Sequence, residues 1–183
     1  ALTVLPIAAI AHKHFGKGAG ATAAWLMALM PGHVGHSTFA LADHDAFVML
    51  FTSIGVYFWM AAVGAAGSDR LLDDAHWHPR HLLRGISASF QHRSKAMAYS
   101  MLAGVSFATV GLGWKGFVYI LAIIFVAYFF QTALNLLRRR DNMPVSAAMI
   151  VMVGTAFVIP LPFYANPELS LLLDASGFQP MFY

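Results

Sequence analysis

Residues 46–66 read AFVMLFTSIGVYFWMAAVGAA, twenty-one side chains in a row without a charge. A helix rises about 1.5 Å per residue, so a run of about 20 apolar residues matches the hydrocarbon thickness of a bilayer. The rest of the chain agrees: 59% of its 183 residues are hydrophobic and 10% charged, with a mean hydropathy of +0.66. Soluble domains stay at roughly 45–50% apolar. The expected fold is therefore all-α, a polytopic bundle of membrane helices forming part of one transmembrane domain.

Working outward, further apolar segments lie at residues 1–11, 18–31, 96–112, 117–137 and 145–163, giving about six membrane segments over residues 1–183. Segment 18–31 is rich in small residues, which suits close helix packing, and Pro31-Gly32 ends it. Gly113-Trp114-Lys115-Gly116 is a tight turn between two spans. The chain opens on Ala1 inside an apolar run that lacks the basic region of a signal peptide, so a processed or incomplete N-terminus is expected. With no cysteine, disulfides, thiolate metal sites and catalytic thiols are excluded. The sequence pI of about 9.4 does not point to nucleic acid, because the basic residues sit in short clusters between apolar runs, where membrane orientation and contact with lipids account for them.

Orientation follows from those clusters. If the loop before residue 46 is outside, then Lys13, Lys17, Arg70, Arg80, Arg84, Arg93, Lys95 and the triplet Arg138, Arg139, Arg140 all fall inside. Of eleven Lys and Arg only Lys115 then lies outside. Asp43, Asp45, Glu168 and Asp174 then belong to the outer, non-cytoplasmic face of this multi-pass membrane protein.

That outer loop, residues 31–45, reads PGHVGHSTFALADHD. Its Asp43-His44-Asp45 triplet is costly at a bilayer edge unless the charge is compensated, and a divalent cation compensates two carboxylates. Two short acids two residues apart can converge on one ion at about 2.1–2.6 Å and leave positions for phosphate and water. The plainer reading is a helix cap, since Asp before an apolar run caps well and favours the positive end of the helix dipole. Both hold together if Asp45 caps while Asp43 binds.

The run GATAAWLMALMPGH at residues 20–33, then His36-Ser37-Thr38, then Ala42-Asp43-His44-Asp45-Ala46-Phe47, resembles the catalytic subunit of oligosaccharyltransferase, most closely its archaeal and bacterial single-subunit forms. The Gly113-Trp114-Lys115-Gly116 turn is similar to that family's tight Trp-x-Gly turn. The resemblance implies a C-type glycosyltransferase-like fold that moves a glycan from a lipid-pyrophosphate carrier to the Asn of an Asn-x-Ser/Thr acceptor polypeptide. It implies that Asp43 and Asp45 match the family's second acidic motif and hold Mg²⁺ or Mn²⁺, and that His44 faces the pyrophosphate. His36 stands where the family usually has Arg, seven residues before the first Asp; imidazole can donate there without the fixed charge and fork of a guanidinium. The family's first acidic motif, a later acidic residue and its Trp-Trp-Asp motif have no counterpart here. The remaining part of the enzyme is thus expected from the same polypeptide or from other chains, and residues 1–183 alone should not catalyse.

Other polar groups have blander readings. His33, His12 and His14 read as loop or interfacial residues, and His76-Trp77-His78-Pro79-Arg80-His81 as a headgroup-contacting surface rather than a zinc site. Tyr57, Phe58, Trp59 and the aromatic stripe 125–130 read as packing or lipid-facing. Gln131 and Asn135 share a helix face and read as hydrogen-bond partners between helices. Two alternative functions remain: a non-catalytic assembly subunit, and a metal-binding or transport protein. Against the second, spans 46–66 and 96–112 contain neither His nor an acidic residue.

Overall fold

The computed structural model describes residues 2–36, 44–67, 93–114, 116–138 and 140–165. Within them the chain forms α1 (Val4–Phe15), α2 (Lys17–Leu29), α3 (Pro31–His36), α4 (His44–Ala66), α5 (Ser94–Gly113), α6 (Phe117–Leu137), α7 (Met143–Val158) and α8 (Leu161–Ala165). The all-α, polytopic membrane architecture expected from the sequence is what is found. Among the described residues four stretches are long and apolar enough to cross a bilayer: Asp45–Ala66, Ser94–Gly113, Phe117–Leu137 and Met143–Ala165.

The two short N-terminal segments form a hairpin. Gly16, at φ 91° and ψ 178°, occupies backbone space that is essentially reserved for glycine and turns the chain between α1 and α2. The helices then fold back on each other tightly: a Cβ on Gly20 would stand 2.7 Å from His12 Cβ and 3.1 Å from the Ala8 carbonyl oxygen. At 12 and 13 residues, α1 and α2 are each shorter than the roughly 20 residues a full crossing takes.

The core is built by α4, α5 and α7, with α5 in the middle. Its buried residues include Ala96, Ser100, Ala103, Gly104, Phe107 and Ala108, mostly small, so neighbouring backbones approach closely. A Cβ on Gly104 would meet the Met152 carbonyl oxygen and Thr155 Cβ of α7, both at 2.6 Å. On the other side the ring of Phe107 fills the space above Gly55 of α4, 2.6 Å from where a Cβ would stand. Phe107 and Met152 are completely buried.

Helix α6 is held differently. It meets α7 through large side chains, with the rings of Phe117 and Phe157 5.7 Å apart and the Tyr128 hydroxyl 2.8 Å from Ser146 Oγ. Phe125, Phe129 and Phe130 point away from the bundle and are exposed. Gln131 and Asn135 do bond, but within α6 rather than between helices: Gln131 Nε2 donates to Asn135 Oδ1 at 3.0 Å. Spacing of four on one helix places them side by side, and a partner helix is not needed. The turn after α6 folds back over this pair, with Arg140 N–H donating to the Asn135 carbonyl at 2.8 Å and Asn142 Nδ2 to that of Thr132 at 3.3 Å.

The Trp-containing turn between α5 and α6 is tight for a visible reason. Trp114 N–H donates to the Val110 carbonyl at 2.8 Å, and the indole lies over Gly116, where a Cβ would fall 2.1 Å from the ring. The Tyr164 hydroxyl of α8 donates to the Gly111 carbonyl, which ties α8 to the same end of α5.

Candidate functional site

Proline organises the approach to the site. A residue before Pro is pushed out of the helical region, and Met30 is extended at φ −63°, ψ 115°, so α2 stops at Leu29. Pro31 then opens α3, a position that suits its missing N–H, and Val34 N–H donates to the Met30 carbonyl at 3.0 Å. Helix α3 packs on both α2 and α4. The connection from α3 to α4, residues 37–43, lies outside the described residues, and Asp43 with it.

Of the expected site residues, His36 is the last residue of α3 and His44 the first of α4. Asp45 is half-buried in the first turn of α4. That corrects one detail: the helix starts at His44, so Asp45 is inside the first turn and not at the capping position. Its carboxylate still lies at the positive end of a 23-residue helix, where four backbone N–H groups lack helical partners and an anion is favoured. The backbone thus brings the end of α3 and the start of α4 together, with Asp45 at the second.

Asp45 supplies one hard oxygen donor of the kind Mg²⁺ and Mn²⁺ take, so it fits such an ion chemically. The second expected donor, Asp43, is outside the described residues, and among those described no group of three or more His, Cys, Asp or Glu comes together. The His76 to His81 cluster, Lys115, Glu168 and Asp174 also lie outside them. His12 and His14 are exposed in the last turn of α1.

Charge is distributed by helix direction. A Cβ on Gly67 would stand 2.8 Å from the Arg93 guanidinium, so the end of α4 and the start of α5 are neighbours. The alternation of α4 to α7 then places Arg93, Lys95, Arg138 and Arg140 at the end of the bundle opposite Asp45. Sequence reasoning missed one contact, Lys13 Nζ 5.8 Å from the ring centroid of Tyr57. No spacing rule links a turn cation to an aromatic forty-four residues away.

The fold so described is that of a polytopic helical membrane protein with a polar connection poised at the start of its first long span. Over residues 1–182 the chain matches the family described as Oligosaccharyl transferase STT3, N-terminal, and it belongs to that family. It is 28% identical over 183 residues to the Dolichyl-phosphooligosaccharide-protein glycotransferase 3 of Archaeoglobus fulgidus, which covers 100% of this chain and 18% of the relative. The chain thus spans about a fifth of the length of that curated relative. No solved structure matches.

Proposed function

We propose that this chain is part of a membrane oligosaccharyltransferase that transfers a glycan from a lipid-pyrophosphate carrier to the Asn of Asn-x-Ser/Thr in an acceptor polypeptide. The observation that carries the reading is the family match along essentially the whole chain. The printed activity of the archaeal relative, a glycotransferase acting between a dolichyl-phosphooligosaccharide and protein, supports it.

In this reading Asp43 and Asp45 hold Mg²⁺ or Mn²⁺, which when bound takes up negative charge from the departing pyrophosphate. The position of Asp45 in the first turn of α4 supports the assignment, because it sets a hard oxygen donor at the end of the helix that adjoins Asp43 in sequence. His44 donates to the pyrophosphate, and His36 donates to phosphate or to the acceptor segment in place of the family's usual Arg. Asp45 and the adjoining connection face the non-cytoplasmic side, with Arg93, Lys95, Arg138 and Arg140 toward the cytoplasm, where cations concentrate in membrane proteins. The rest of the site comes from the remaining part of the enzyme.

The test is the Asp43→Ala variant of the intact protein, assayed for glycan transfer to an Asn-x-Thr peptide with Mn²⁺ present. Loss of transfer, with the protein still folded, is the expected result. Turnover at the parental rate would remove this connection from the mechanism.

A further inference from the structure

The hairpin α1–α2 touches the core bundle lightly. Helix α1 packs on α4, yet none of its residues is fully buried. A helix that interdigitates so little can slide or rock unless something pins it. One contact between the hairpin and α4 is that of Lys13 with Tyr57, the ammonium 5.8 Å from the ring centroid. Tyr57 is itself braced: its ring meets Phe58 edge-on at 5.5 Å, and Phe58 stacks on Tyr99 of α5 at 6.2 Å. The cation is therefore attached, through three rings, to the central helix of the core.

The height of this contact matters. Tyr57 lies nine residues before Ala66 in α4, about 14 Å along the helix axis. The hairpin turn therefore stops short of that end of α4. The face of an aromatic ring attracts a cation, most strongly where water is scarce.

Measured in the other direction, Tyr57 is thirteen residues from His44, about 20 Å of axis. Helix α2 has 13 residues, also about 20 Å long. A hairpin keyed at Tyr57 thus delivers the end of α2, and with it α3, to the level of the first turn of α4. This agrees with the contact of α3 with α4.

We propose that Lys13 and Tyr57 form a latch that sets how far α2 reaches along α4, and so are positioning residues that fix the end of α3 relative to Asp45. This inference rests on the function proposed above for the connection between α3 and α4. It assigns Lys13 a place against a ring and not among lipid headgroups, to which a lysine would otherwise snorkel.

The experiment uses the intact polypeptide that contains this chain, with any cysteines outside it replaced. Spin labels go on Gly32→Cys in α3, where a Cβ meets open space, and on Met49→Cys in α4, whose side chain is 41% exposed. Lys13→Met and Tyr57→Leu are each expected to shift or broaden the label-to-label distance, whereas Lys13→Arg and Tyr57→Phe, which keep the cation and the ring, leave it as in the parent. In transfer assays on the unlabelled proteins the two disruptive variants should raise the half-saturating Mn²⁺ concentration three- to tenfold, with the acceptor-peptide KM unchanged. The Lys13→Met/Tyr57→Leu double variant should be no worse than the worse single one, as for two halves of one contact.

A distance that stays put in both disruptive variants overturns the latch. So does a Tyr57→Phe variant as damaging as Tyr57→Leu, or a double variant whose losses multiply. If the distance moves and the Mn²⁺ dependence does not, while Asp43→Ala is inactive, the positioning role is overturned. Full activity in Asp43→Ala would instead defeat the proposed function, and the distance measurement would still judge the latch.

Discussion

Helices α5 and α6 are consecutive, of nearly equal length, 20 and 21 residues, and both long and apolar enough to cross a bilayer, yet they are used in opposite ways. The apolar window of α5 is 56% buried within the protein and that of α6 17%, although α6 is the more apolar of the two. In water that order would be paradoxical. In a bilayer it is expected, because lipid tails are as apolar as leucine and hydrophobicity gives no preference for the interior. What sorts the two helices is side-chain size. Ala, Ser and Gly let α5 approach its neighbours at backbone distance, while the Phe, Tyr, Ile and Leu of α6 hold its axis away.

That comparison can be broken most severely at Gly104. Gly104→Leu forces side-chain atoms into the Met152 carbonyl and Thr155, neither of which is the free end of a flexible chain. The expected loss is about 3 kcal/mol, the upper end of what overpacking costs, seen as poor recovery of folded protein after detergent extraction. Normal recovery would show that α5 and α7 do not meet as closely as described. A smaller effect is expected at the α6–α7 contact. Tyr128→Phe removes the hydrogen bond to Ser146 and should lower stability by about 0.6 kcal/mol, the usual worth of such bonds between membrane helices, measurable as a melting temperature a few degrees lower. Least of all should follow from Phe130→Leu on the outer face of α6, where the ring is 62% exposed. It should change stability by less than about 0.5 kcal/mol, and a larger loss would mean that this face is packed against protein.

Much of this was legible in advance, and the reason differs from place to place. Residues 117–137 were expected as a span and form α6 to the residue, since Gly116 and Arg138 bound a run without a charge. Residues 96–112 and 145–163 were expected within a few residues of α5 and of the α7–α8 stretch. The small residues of segment 18–31 do pack closely, most visibly at Gly20. That helix α5 became the centre of the bundle was not anticipated. The Asp45 position was anticipated to within one residue, and the difference lies in where the helix starts. Gln131 and Asn135 were expected on one helix face bonding to neighbouring helices, and they bond to each other instead.

Taken alone, the sequence determined that the chain is a bundle of membrane helices, where the long spans fall, and which acidic triplet precedes the first long one. Each of these is a property of a single segment: transfer of a run of side chains into hydrocarbon, or a polar stretch between two such runs. Only the tertiary structure decided that α5 is central, that α6 lies outside, and that Lys13 rests on Tyr57. Those are relations between segments, set by which surfaces fit together at close range, and no transfer energy summed along one segment contains them.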